Sequence, residues 1–105
     1  MLTGGCFCGR VRYEAGGVAR SQFRLAGEAM RFRSSGKGTR SFCPGCGTQL
    51  TFELDGIGDE IDVTTCSLDE PELAPPVDHT RTSRRLAWVT LADGLPQFRE
   101  SRQEG

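Results

Sequence analysis

At 105 residues the chain has room for one hydrophobic core rather than two, and that core is thin. Leu, Ile, Val and Phe number 9, 2, 5 and 6, close to the roughly 20% below which chains tend to stay disordered. A formal net charge of -1 and a pI near 5.8 argue against sequence-independent binding of nucleic acid, which needs a net basic surface.

Near the start, Cys6-Phe7-Cys8 is flanked by Gly4, Gly5 and Gly9. A one-residue gap between two ligands needs a kinked or bulged backbone, because i and i+2 on a regular strand share a face but lie far apart; the glycines supply that freedom. Residues 9–15 then alternate, with Val11 and Tyr13 on one face and Arg10, Arg12 and Glu14 on the other, the pattern of a half-buried strand ended by Gly16-Gly17. A further short strand is expected at 21–26 around Phe23 and Leu25, broken by Gly27. Residues 28–34 alternate again, with Met30 and Phe32 expected inward and Arg31 and Arg33 outward. The turn formers 34–38 return the chain as a partner strand over 39–43.

That strand delivers Cys43-Pro44-Gly45-Cys46-Gly47. A two-residue gap lets both sulfurs reach one ion from a tight turn, and Pro44, Gly45 and Gly47 shape a backbone that turns its amides to the thiolates. Beyond it, 48–54 predicts Leu50, Phe52 and Leu54 inward against Gln49, Thr51 and Glu53, and Asp55-Gly56 predicts a hairpin to a strand at 60–65 with Ile61 and Val63 inward. Leu68 to Glu72 can start one helical turn, which Pro75-Pro76 prevents from extending. Residues 77–82 read as extended, 86–91 as a last short strand with Trp88 in the core, and Phe98 as an anchor of the final stretch. The whole is expected to be all-β with at most one helical turn, one domain over 1–98 and a flexible tail over 99–105.

Thiolate sulfur is a soft ligand and zinc accepts four of them tetrahedrally, so Cys6, Cys8, Cys43 and Cys46 are expected to close one structural Zn2+ site per chain. Disulfides and buried apolar cysteines are the competing readings; the spacing and the odd total of five favour the metal. A structural zinc contributes about 10–16 kcal/mol of apparent binding free energy in zinc-finger peptides, which suits so small a core. Among the basic residues, Lys37 stands against twelve arginines. Arginine forks suit carboxylates, and Arg31, Arg33 and Arg40 are weighed either as ligand contacts or as a solvated strand face. No apolar run is long enough for a membrane span and no charged-then-apolar leader opens the chain, so the expectation is a cytoplasmic location, reduced thiols, and neither a nucleic-acid nor a membrane partner.

Gly4-Gly5-Cys6-Phe7-Cys8-Gly9-Arg10-Val11-Arg12-Tyr13, then Phe32-Arg33-Ser34-Ser35, then Arg40-Ser41-Phe42-Cys43-Pro44-Gly45-Cys46-Gly47-Thr48-Gln49-Leu50 resembles the glutathione-dependent formaldehyde-activating enzyme (GFA) family. Ser67-Leu68-Asp69-Glu70-Pro71, His79, Trp88 and Asp93-Gly94-Leu95-Pro96-Gln97-Phe98 follow the same pattern in order and spacing. The resemblance implies a β-tent zinc fold of stacked, curled antiparallel sheets, with the same four cysteines as the structural zinc ligands. It also implies carbon-sulfur lyase chemistry on a glutathione-formaldehyde adduct, carried out at a second zinc held by a Cys-x-Cys-x-x-Cys cluster. That cluster has no counterpart here: none of the 34 positions between Cys8 and Cys43 is Cys or His, and the segment looks deleted after Gly16-Gly17-Val18.

A closed four-thiolate site has no open position at which to activate a thiol, so no catalytic or cofactor-binding residue is assigned. Cys66 and His79 are too few to rebuild a site alone. Two functions remain in view: a relative of the lyases with glutathione or a related thiol as partner, or a non-catalytic zinc-stabilised binding or oligomerisation module. In the second, the deletion exposes apolar surface that a homodimer would cover.

Overall fold

The first alternating stretch becomes the centre of a small sheet. In the computed structural model, which describes residues 1–102, β1 (Leu2–Gly5), β2 (Arg12–Ala15) and β3 (Phe23–Ala26) form an antiparallel sheet in that order. Val11, Tyr13 and Ala15 are buried as the alternation predicts. β1 carries no alternating pattern and is held by what it touches. Gly4 pairs with Tyr13 in the register and lies against the tyrosine ring, and the Tyr13 hydroxyl donates to Ser67 Oγ at 2.6 Å while the Ser67 hydroxyl donates to the Thr64 carbonyl at 2.8 Å. Burial, only partly offset by the Ser67 bond, pushes the Tyr13 hydroxyl pKa up.

The second sheet runs β4 (Met30–Arg33), β5 (Gly38–Phe42), β6 (Gln49–Leu54) and β7 (Asp62–Val63), all antiparallel. The two sheets are stitched by the Ile61 amide donating to the Val18 carbonyl at 2.8 Å, by Ser21 bonding Asp59, and by Arg20 reaching Glu53 at 2.9 Å. The expected hairpin after Asp55 is present with a wider loop, in which Gly56 and Gly58 take left-handed backbone angles. Among the described residues there is no helix beyond single 3-10 turns, at Arg20–Gln22, Thr65–Ser67, Pro71–Leu73 and Thr82–Arg84. The fold is all-β, and among the described residues no helix is long and apolar enough to cross a membrane.

The second sheet reverses the facing expected from its alternation. Met30 and Phe32, expected inward, are 51% and 62% exposed. The register aligns Arg31, Ser41 and Thr51 in one row and Phe32, Arg40 and Phe52 in another, and it is Ser41 and Thr51 that are buried, their hydroxyls bonded to each other. Leu54 is exposed and Phe52 only half-buried, while the Arg40 guanidinium sits 4.5 Å over the Phe52 ring. Within β6 Leu50 alone keeps its expected place, because the register slips between Ser41 and Phe42 and turns Leu50 and Thr51 inward together, while Ile61, just before β7, is buried as expected.

The described residues fall into two compact units, Met1–Leu73 and the stretch from Ala74 onward. In the second unit none of the described residues is buried. The expected strand at 86–91 does not form, and Trp88, expected in the core, is 79% exposed. An apolar run without an opposing layer has nothing to pack on, so the unit is held by polar contacts instead. His79 Nε2 meets Asp93 Oδ2 at 2.7 Å, the Phe98 amide donates to the His79 carbonyl at 2.8 Å, and Arg102 pairs with Asp78. Of the segment expected as a tail, Arg99 and Glu100 accept backbone bonds from Ser83 and Arg81, and 103–105 lie outside the described residues.

The close approach at β1 gives a test. A Cβ at Gly4 would fall 2.5 Å from the Ser67 carbonyl oxygen and nearer still to the Tyr13 hydroxyl. Gly4→Ala is therefore expected to cost about 2 kcal/mol, the scale of overpacking in a filled core, measured as a lowered urea midpoint; an unchanged midpoint would show that β1 is not held by this contact.

Candidate metal centre

Two turns built for tight reversal bring the four cysteines together. After β1, the Cys6 amide donates to the Val11 carbonyl at 2.9 Å and the Gly9 amide returns to the Cys6 carbonyl, with Gly9 in the left-handed region. After β5, the Cys43 amide donates to the Thr48 carbonyl at 3.0 Å and the Gly47 amide to the Cys43 carbonyl at 2.8 Å, with Gly47 left-handed. The ligand atoms of Cys6, Cys8, Cys43 and Cys46 all lie within 4.8 Å of one another. Cys6 and Cys8 sulfurs are 3.6 Å apart and Cys8 and Cys43 sulfurs 3.7 Å apart. A tetrahedron with metal–sulfur bonds of about 2.3 Å has edges of about 3.8 Å, so these separations fit an ion at the centre.

The surroundings are those of thiolates. The Val11 amide donates to Cys6 Sγ at 3.2 Å and the Gly45 amide to Cys43 Sγ at 3.3 Å. Thr48 ties the two halves together: its hydroxyl accepts the Phe7 amide at 3.1 Å and donates to Cys46 Sγ at 3.1 Å. That hydroxyl bond, joined by backbone donors, lowers the Cys46 thiol to about 5. At Cys8 the Arg10 amide favours the thiolate, but the neighbouring sulfurs and burial outweigh it and push the thiol up to about 11. Four sulfurs this close cannot all ionise without a cation between them. The Arg10 guanidinium adds a positive charge beside the knuckle, near enough that a Cβ at Gly45 would lie 2.9 Å from its Nη1. Cys6 and Cys43 are buried, Cys8 and Cys46 exposed.

The four cysteines singled out in the sequence converge; Thr48 is not among the residues singled out there, and its role follows from a contact across 41 positions. Among the described residues no other group of three or more His, Cys, Asp or Glu side chains converges. Cys66 is an exposed thiol in a 3-10 turn, and His79 is bonded to Asp93. The three arginines weighed as ligand contacts are engaged within the sheet: Arg31 pairs with Glu53 at 3.1 Å, Arg33 with Asp55, and Arg40 with the Phe52 ring.

Thr48→Val is expected to raise the Cys46 pKa of the metal-free, reduced protein from about 5 toward the ordinary thiol value of 9.0. Because the thiolate exists above its pKa, the first rise of thiolate absorbance near 240 nm should move to higher pH; a titration identical to the unsubstituted protein would refute the hydroxyl's role.

Comparison with known proteins returned no matching family model and no matching curated protein, so the chemistry of the centre rests on its geometry.

Proposed function

We propose that this chain is a zinc-held β module in which one Zn2+, bound by Cys6, Cys8, Cys43 and Cys46, is structural. The observation that carries the reading is the sulfur cluster itself, four soft donors within 4.8 Å of one another, with the Cys6–Cys8 and Cys8–Cys43 separations at the edge length of a tetrahedral tetrathiolate. A closed four-sulfur set offers no open coordination position, which suits an ion that holds the fold, and zinc takes four thiolates tetrahedrally in structural sites. The amides on Cys6 and Cys43 and the Thr48 hydroxyl on Cys46 hold the sulfurs in place.

The order of its motifs supports placing the chain as a shortened relative of the GFA family that keeps the structural zinc and has lost the catalytic one. On this reading a carbon-sulfur lyase step on glutathione-formaldehyde adducts has no metal at which to run. Glutathione or a related thiol remains a candidate partner only as a bound ligand. The exposed Met30, Phe32 and Leu54 are the surface that a second copy would cover; sedimentation at high concentration is expected to show a dimer, and a clean monomer would remove this part of the proposal.

Zinc analysis of purified protein is expected to give one equivalent per chain, and two would reinstate the enzyme reading. Cys46→Ser, or chelation, is expected to lower the thermal midpoint by 10 °C or more, on the order of several kcal/mol for a domain of this size. An unchanged midpoint with zinc removed would sink the structural role.

A further inference from the structure

The reversed facing of the second sheet leaves a cleft between the two sheets whose walls differ in chemistry. Its volume is about 270 Å3, and its apolar lining is Phe23 and Leu25 of β3 together with Ile61, just before β7. Its polar lining is Arg20, Arg31, Ser41, Thr51 and Glu53. An alternating strand that turns its polar row toward the interior and its apolar row to solvent gives up burial energy. Breaks of this kind between local pattern and fold concentrate where a site is built.

The polar wall has a definite charge. Glu53 is held from both sides, by Arg20 Nε at 2.9 Å and by Arg31 Nη1 at 3.1 Å, and its side chain is only 15% exposed. Among the lining residues two guanidiniums on one carboxylate leave a surplus of one positive charge, while Asp59, outside the lining, is close enough to Arg20 to feel its charge. Each guanidinium has five N–H donors, and Arg31 spends one of them on Glu53. Arg20 spends its Nε there and reaches the Gly58 carbonyl with Nη1 at 3.4 Å. Each guanidinium keeps further donors in its own plane, a fork of the kind that suits one carboxylate. A dianion is disfavoured, since Glu53 sits between the two cations and repels a second negative charge. The cleft is small and opens to solvent, which suits a short hydrocarbon chain ending in one carboxylate.

We propose that this cleft binds a small aliphatic monocarboxylate, its carboxylate on the Arg20–Glu53–Arg31 array and its hydrocarbon chain against Phe23, Leu25 and Ile61. The site lies apart from the thiolate cluster, and the proposal does not require zinc to be the ion held there.

The probe is hexanoate, titrated into the whole folded protein and followed by amide chemical shifts. Saturable shifts confined to residues around Phe23, Thr51, Glu53 and Ile61 are expected, with adipate and hexylammonium binding at least about tenfold more weakly. Arg31 is largely exposed, so Arg31→Gln should keep the fold while cancelling the surplus charge; it is expected to weaken hexanoate about tenfold, and Arg31→Lys to restore part of the loss. Absent or scattered shifts would overturn the site. Equal binding of hexylammonium, or no effect of Arg31→Gln, would overturn the carboxylate assignment. Zinc stoichiometry measured on the same samples reports separately on the metal centre.

Discussion

Four sulfurs within 4.8 Å of one another are the constraint on which the first unit depends. As thiols they are small, weakly bonding groups; as thiolates they repel. The opposed shifts at Cys46 and Cys8, down to about 5 and up to about 11, show the conflict in the metal-free cluster: the sulfur best supplied with hydrogen-bond donors ionises first and penalises its neighbours. A divalent cation converts that repulsion into attraction. It also joins the turn after β1 to the turn after β5, and so the first sheet to the second. The apolar interior offers little to substitute for it, since its buried hydrophobic residues are Val11, Tyr13, Ala15, Leu50, Ile61 and Leu68, with Cys6 and Cys43 themselves making up the rest.

What the sequence discloses follows from how local each determinant is. The knuckle is readable because its geometry is fixed within five residues: ligand spacing, Pro44 and the two glycines decide it without reference to the rest of the chain. The pairings of β4 with β5 and of β5 with β6 are readable for the same reason, the turns being short. β1 is not readable, because Leu2-Thr3-Gly4-Gly5 becomes a strand through contacts with Tyr13, Ser67 and Asp69, the last bonded to both Thr3 and Arg12. Trp88 illustrates the opposite error. Its apolar neighbours suggest a core position, but burial needs a second layer, and none forms within its unit.

Alternation gives the period of a strand and leaves open which face is inside. In β2 the apolar face goes in, as the hydrophobic effect alone requires. In β4 to β6 ion pairing and hydroxyl bonding decide otherwise: Arg31 and Glu53, Ser41 and Thr51 satisfy one another across the strands on the inner face. Phe32 and Phe52 take the outer one, shielded in part by Arg40. Polar groups can be turned inward only when each finds a partner, and among the described residues no buried side-chain nitrogen or oxygen is left without one.

The metal centre and the cleft are coupled through β5. Ser41, on the floor of the cleft, and Cys43, in the cluster, are two positions apart, and the irregularity that turns Leu50 and Thr51 inward lies between Ser41 and Phe42, directly before the first knuckle ligand. A bulge both bends a strand and re-aims the side chains on either side of it. Here one distortion sends Cys43 toward the sulfur cluster and sets the Ser41–Thr51 row against Phe23 and Ile61. An ion held by Cys43 would fix the end of the strand that lines the cleft, so a purely structural centre would still bear on how the cleft is formed.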